Sequence, residues 1–210
     1  MITIKLIESD KTIQKMIHRE IATLINKKVE KKSAKAIAKI KRSILFWIGT
    51  SPEMRSLAGA SSPGSLKSQF GLTDAEASSA LDAISTSIAN SITIKVGKID
   101  ARLTGKITIN IQPLDLSNLL ILPQGHRMTK KGTDLHWLDW LLTKGDSVVI
   151  VGYKYSTKGS GRSGVGKMTK GGSFRVSPQY SGTKTNNFIT RSLEARQSDI
   201  VKILGDILNG

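Results

Sequence analysis

The chain has 210 residues, enough for one domain with extensions or for two small ones, and a hydrophobic content of 39% supports a real but modest core. Thirty-two Lys and Arg against sixteen Asp and Glu leave a formal charge of +16, a self-repulsion that favours an anionic partner, either nucleic acid or the acidic face of another protein. Cysteine is absent, which excludes disulfides and thiolate metal sites, and no apolar run approaches the roughly eighteen residues of a membrane span.

In chain order, Ile2, Ile4 and Leu6 alternate with Thr3 and Lys5, the pattern of a short strand. The stretch Met1 to Ile7 lacks a signal-peptide h-region, so a protein used in a cytoplasm, or in a particle assembled there, is expected. Ser9 or Asp10 can cap a helix whose apolar stripe runs through Ile13, Met16, Ile17, Ile21, Leu24 and Ile25. The stripe resumes at Ala34, Ile37, Ala38, Ile44, Leu45 and Ile48, and no Gly or Pro interrupts Ser9 to Ile48. One long helix ending at Gly49, or two helices broken near Glu30–Ser33, both satisfy the pattern. Ser51-Pro52-Glu53 restarts a short helix. Ala58 to Gly64 is small and flexible, and Thr73-Asp74-Ala75-Glu76 reads as a capping box for a helix over 74–90.

After Ser91 the period changes to two. Ile92, Ile94 and Val96, then Ile107, Ile109 and Ile111, predict an antiparallel pair. Leu135, Trp137, Leu138, Leu141 and Leu142 form a short helical face, with Trp137 and Trp140 expected in the core. Val148 to Val151, Tyr153 and Tyr155 read as a strand, and Val165 to Thr169 with Phe174 to Val176 can continue the sheet. Asn186 or Asn187 can cap a closing helix near 187–208, whose stripe begins at Phe188, Ile189 and Leu193 and continues through Ile200 and Leu204. The predicted fold is therefore α+β: a long N-terminal helical segment, one antiparallel sheet from about 91–97, 105–112, 147–155 and 165–176, and a C-terminal helix packed on it through Phe188, Ile189 and Leu193. The predicted organisation is a mainly helical region over 1–90 and a sheet with its closing helix over 91–210, forming one continuous unit.

Chemistry-bearing motifs are few. Gly161 to Lys167 matches the glycine and lysine positions of a phosphate loop, but Met168 stands where Ser or Thr should meet Mg²⁺, and glycines follow where a helix should open. Asp134, His136 and Asp139 are close in sequence without a defined metal motif. No nucleophile–base set is visible, so no catalysis, cofactor or metal is expected. The strongest signal is charge. Between Asp146 and Glu194 there is no carboxylate, yet the stretch carries Lys154, Lys158, Arg162, Lys167, Lys170, Arg175, Lys184 and Arg191 among many glycines. Such a segment suits contact with an anionic partner, and disorder over 156–172 is expected until that partner binds. A second basic run holds Lys27, Lys28, Lys31, Lys32, Lys35, Lys39, Lys41 and Arg42, with Glu30 its only acid.

The order of segments in the C-terminal half carries a resemblance. Leu135 to Leu142 is followed by Gly145-Asp146 and the strand Val148–Val151, then Arg162-Ser163-Gly164, Phe174 to Pro178, Gly182-Thr183, and Asn187 to Glu194. Over roughly 90–208 this resembles structural proteins of the head–tail neck of tailed bacteriophages, of the tail-completion or head–tail joining type. The resemblance implies an N-terminal helix, a curved antiparallel sheet and a closing helix opened by Phe188 to Leu193. It implies a virion protein of the neck or connector, at a completion, terminator, stopper or adaptor position, assembled in the host cytoplasm. Its partners would be copies of itself in a homo-oligomeric ring, expected to be a hexamer, together with neighbouring neck, connector or tail-tube proteins and DNA in the channel, with no membrane. Lys154, Lys158, Arg162, Lys167, Lys170, Arg175 and Lys184 are the expected assembly contacts. The alternative is a basic nucleic-acid-binding protein acting outside a particle, although no helix-turn-helix, zinc or aromatic ribonucleoprotein signature is present.

Overall fold

A computed structural model describes residues 8–59, 62–113, 115–129 and 132–209. The strand expected at Ile2–Leu6, and Ala60 and Ser61 of the small-residue segment, lie outside the described residues. The architecture is α+β, with about 52% helix and 18% strand. Among the described residues no helix is long and apolar enough to cross a membrane.

Helix α1 runs unbroken from Asp10 to Gly49. The break considered at Glu30–Ser33 does not form, because the Ser33 hydroxyl donates to the Glu30 carbonyl at 2.9 Å within the helix instead of capping a new one. Ser51 then caps α2 (Pro52–Ala58) by accepting from the Met54 amide, with proline in the first turn. Ser65 caps α3 (Leu66–Phe70), which ends on Gly71 in the left-handed region. The capping box forms as the residues require: Thr73 and Glu76 bond each other's backbone amides at the start of α4 (Asp74–Ser91). Strands β1 (Thr93–Val96) and β2 (Ile107–Asn110) follow, then α5 (Ser117–Leu120), a 3₁₀ turn at Pro123–Gly125, β3 (Arg127–Met128), β4 (Asp134–Leu135), α6 (Trp137–Leu142), β5 (Val148–Ser156), β6 (Lys167–Arg175), α7 (Phe188–Glu194) and α8 (Gln197–Asn209).

The strands form three separate two-stranded antiparallel sheets, β1–β2, β3–β4 and β5–β6. The single sheet expected from four segments is thus divided: the β1–β2 turn is held to α1 through Asn26, and β5–β6 is held to α3 through Phe174 and Tyr155. The expected closing helix is likewise two helices, α7 and α8, separated by the turn at Ala195–Arg196.

Contacts group the chain into two compact units, neither of them a contiguous stretch. The first comprises Met1–Ile40, Thr93–Asn110 and Asp199–Gly210. Here the Asn26 side chain clamps the β1–β2 turn to α1, donating to the Ile99 carbonyl at 2.9 Å and accepting from the Ile99 amide at 2.8 Å. Ala22 and Ala36 are buried, while Met16, Ile17, Ile21 and Leu24 stay exposed. The apolar stripe read from the sequence is therefore only partly covered. Leu204 joins Val29, Ala36, Val96 and Ile107 around a cavity of about 210 Å³.

The second unit comprises Lys41–Ile92 and Ile111–Ser198 and holds the larger core. Ile44, Ile48, Leu57, Leu66, Ile84, Ile88, Leu119 and Trp137 are fully buried. Phe70 lies 5.2 Å from Trp137 and meets Phe174 edge-on at 6.5 Å, so α3, α6 and β6 share one aromatic cluster. Trp137 donates its indole N–H to the Gln124 carbonyl at 3.1 Å. Trp140, expected in the core with it, is only half-buried. Phe188 and Ile189 are buried as α7 requires, whereas Leu193 is half-buried. Two buried charges are compensated. Lys67 pairs with Asp74, and Glu53, 2% exposed, takes the Arg191 guanidinium at 2.6 Å.

Candidate functional site

Strands β5 and β6 make a long hairpin whose register runs from Val148↔Arg175 to Ser156↔Lys167, with irregularities between Val148 and Ile150 and between Val151 and Tyr153. Alternation sorts its outer half into two faces. Tyr153, opposite Lys170, and Tyr155, opposite Met168, share one face, and Lys154, opposite Thr169, shares the other with Ser156 and Lys167. The hairpin is fastened to the second unit at three heights. At its base Phe174 enters the aromatic cluster. Midway, the Tyr155 hydroxyl donates to Ser68 Oγ at 2.8 Å and accepts from the Gly64 amide at 3.3 Å. At its tip Arg162 meets Glu76 at 2.5 Å.

Those anchors correct the expectation of a loose loop over 156–172. Lys167 to Gly172 belong to a strand, and the tip closes on itself: the Gly166 amide donates to the Gly159 carbonyl at 2.7 Å and the Gly164 amide to the Gly161 carbonyl at 3.1 Å. Gly166 takes φ +68°, and a Cβ there would run into the Tyr155 hydroxyl, so glycine is required for the tip to lie against the tyrosine. The phosphate-loop pattern at Gly161–Lys167 is this same tip. Two of its amides serve carbonyls of the hairpin, and Lys167 opens a strand where the motif needs a helix.

The seven basic residues expected to act together divide into three groups. Arg162 and Arg175 are tied to the fold, the first to Glu76 and the second to Asp146, whose carbonyl accepts at 2.8 Å and whose carboxylate lies at 3.7 Å. Lys154, Lys158, Lys167 and Lys170 are exposed on the hairpin, and none forms an ion pair with a described carboxylate. Lys184 is exposed but lies outside the hairpin, in the turn where its carbonyl accepts from Asn187. The division follows from side-chain chemistry: the guanidinium fork suits a fixed carboxylate, while the ammonium stays hydrated.

Glu76 is the residue whose wider role sequence reading missed. Besides capping α4 it accepts from Arg127 at 3.0 Å and from Arg162 at 2.5 Å, so one carboxylate at a helix N-terminus holds two guanidinium groups. The capping box was its only local signal, because Arg162 lies 86 residues away in sequence.

The histidines fall elsewhere. His126 and His136 stack at 3.9 Å with 13° between ring planes, and His126 Nδ1 bonds Asp134 at 2.8 Å. Among the described residues no group of three or more acids and histidines is arranged to hold a metal ion. Burial, followed by the neighbouring His126, pushes the His136 pKa below its ordinary value, against the smaller opposite pulls of Asp139 and Asp134. The folded state therefore favours neutral His136. Its stabilising contribution is present above the unfolded value of about 6.5 and is lost as pH falls through the lower folded value. Urea midpoints are expected to drop as pH falls below about 6.5, and His136→Phe is expected to flatten that drop. An unchanged slope in the variant would assign the pH dependence to other groups.

No protein-family model, curated protein or solved structure matches the chain.

Proposed function

We propose that the chain is a structural subunit of the head–tail neck of a tailed phage, a non-enzymatic ring component of the tail-completion or terminator kind. In this reading the β5–β6 hairpin docks on an acidic face of a neighbouring neck, connector or tail-tube protein. The reading is supported by the segment order from Leu135 to Glu194 noted above. The observation that carries it is the anchored hairpin itself. Its arginines are fastened to the fold, while Lys154, Lys158, Lys167 and Lys170 are exposed without carboxylate partners. A hairpin held at base, middle and tip presents those amines at little ordering cost on association, which favours specific docking over a diffuse charge cloud.

The test replaces the four lysines by glutamine in a complemented mutant phage. Exposed charge changes shift stability by less than about 0.5 kcal/mol, so the subunit is expected to fold normally. Joining of heads to tails, scored by counting joined particles, is expected to slow on the order of tenfold or more as electrostatic steering is lost. Normal joining with a folded subunit would contradict the docking role.

A further inference from the structure

We infer that the exposed face of α1 carries a second, separate interaction surface, which holds duplex nucleic acid through its phosphates. This inference stands on a different element from the hairpin and does not rest on the neck reading. Lys28, Lys31, Lys35 and Lys39 recur at three- and four-residue spacing, which at about 100° per residue places them on one side of the helix. All four are exposed, as is the adjacent Lys27. The array spans about 16 Å along a helix with no break to relax it. None of these amines forms an ion pair with a described carboxylate, and Glu30 is the only acid in the run.

Lys27 and Lys31, Lys28 and Lys32, Lys31 and Lys35, and Lys35 and Lys39 are each four residues apart, so like charges repel along the whole run. A polyanion laid along the helix removes that repulsion and releases its own counterions. The exposed residues between the lysines are Glu30, Ala34 and Ala38, so the array itself offers no bulky apolar side chain to a bilayer, and the exposed Ile17, Ile21 and Leu24 lie N-terminal to it. From Lys27 to Lys39 there is no Arg, Asn or Gln to read base edges, so binding along this stretch is set by the backbone and indifferent to sequence. A linear file of ammonium groups matches a linear file of phosphates better than the scattered carboxylates of a protein face.

The experiment is fluorescence anisotropy with the full chain and a random-sequence DNA duplex about three helical turns long, titrated between about 50 and 200 mM salt. Replacing Lys28, Lys31, Lys35 and Lys39 by glutamine is expected to reduce the slope of log affinity against log salt by about 3 to 4, at about 0.9 per phosphate contact. The same four changed to arginine are expected to keep the slope, and circular dichroism of each variant reports the helix. Glutamine at Lys154, Lys158, Lys167 and Lys170 is expected to leave most of the slope in place. A wild-type slope in the α1 glutamine variant would overturn the inference. So would tighter binding to phosphatidylserine vesicles or to polyglutamate than to duplex at equal salt.

Discussion

Trp137→Ala is expected to cost about 4 kcal/mol, within the range for removing a large buried aromatic side chain. Trp137 is fully buried, and the substitution removes its ring from Phe70 at 5.2 Å and its indole N–H from the Gln124 carbonyl. The cavity left would adjoin the cluster where Phe174 enters, so the β5–β6 hairpin is expected to lose its base anchor as well. Urea unfolding measures the cost, and hydrogen exchange of the β5 amides reports the hairpin. Trp137→Phe keeps most of the volume and is expected to cost about 1 to 2 kcal/mol. A loss below about 1 kcal/mol in the alanine variant would mean that α6 does not organise this core.

The second large effect is expected at Arg191. Its guanidinium reaches Glu53 at 2.6 Å and also donates to Asn186 Oδ1 at 2.9 Å, binding α7 to α2 and to the turn before α7. Glu53 is 2% exposed, so Arg191→Ala strands a carboxylate where water cannot reach it. The expected loss is about 3 kcal/mol, at the low end for a broken buried pair because the Arg191 side chain is itself one-third exposed. For a chain of this size, that corresponds to a fall of about 6 to 12 °C in Tm. The double change Glu53→Met with Arg191→Met is expected to recover part of the loss, since the pair's desolvation cost disappears together with its attraction. If the double variant is no better than Arg191→Ala, buried charge is not the cause.

The parts of this fold that could be read from the sequence are those set by neighbours a few residues apart. The capping box at Thr73–Glu76, the Ser51 and Asn187 caps, and the pairing of Thr93–Val96 with Ile107–Asn110 all depend on local spacing. What was not legible depends on distant partners. Period-two patterning marks a strand but does not say which strand it pairs with or what covers it, so two separate hairpins read as one sheet. An apolar helical stripe marks one face of α1 but not how much of that face the rest of the chain covers, so Ile17 and Leu24 belong to the stripe and are nevertheless exposed. The candidate site divides along the same line. The lysines of the hairpin were legible because no acid lies near them in sequence. Arg162 read the same way, and only the fold brings Glu76 to it. Likewise, the stacking of His126 on His136 depends on the turn and short strands between them.

We propose for the chain a place at the junction of head and tail. Immunogold electron microscopy of tailed phage particles made with and without this chain tests that proposal most directly. The account predicts label confined to the neck of joined particles, and lost from particles made without the chain. Label absent from purified particles, with the chain found only in the soluble fraction bound to nucleic acid, would contradict it.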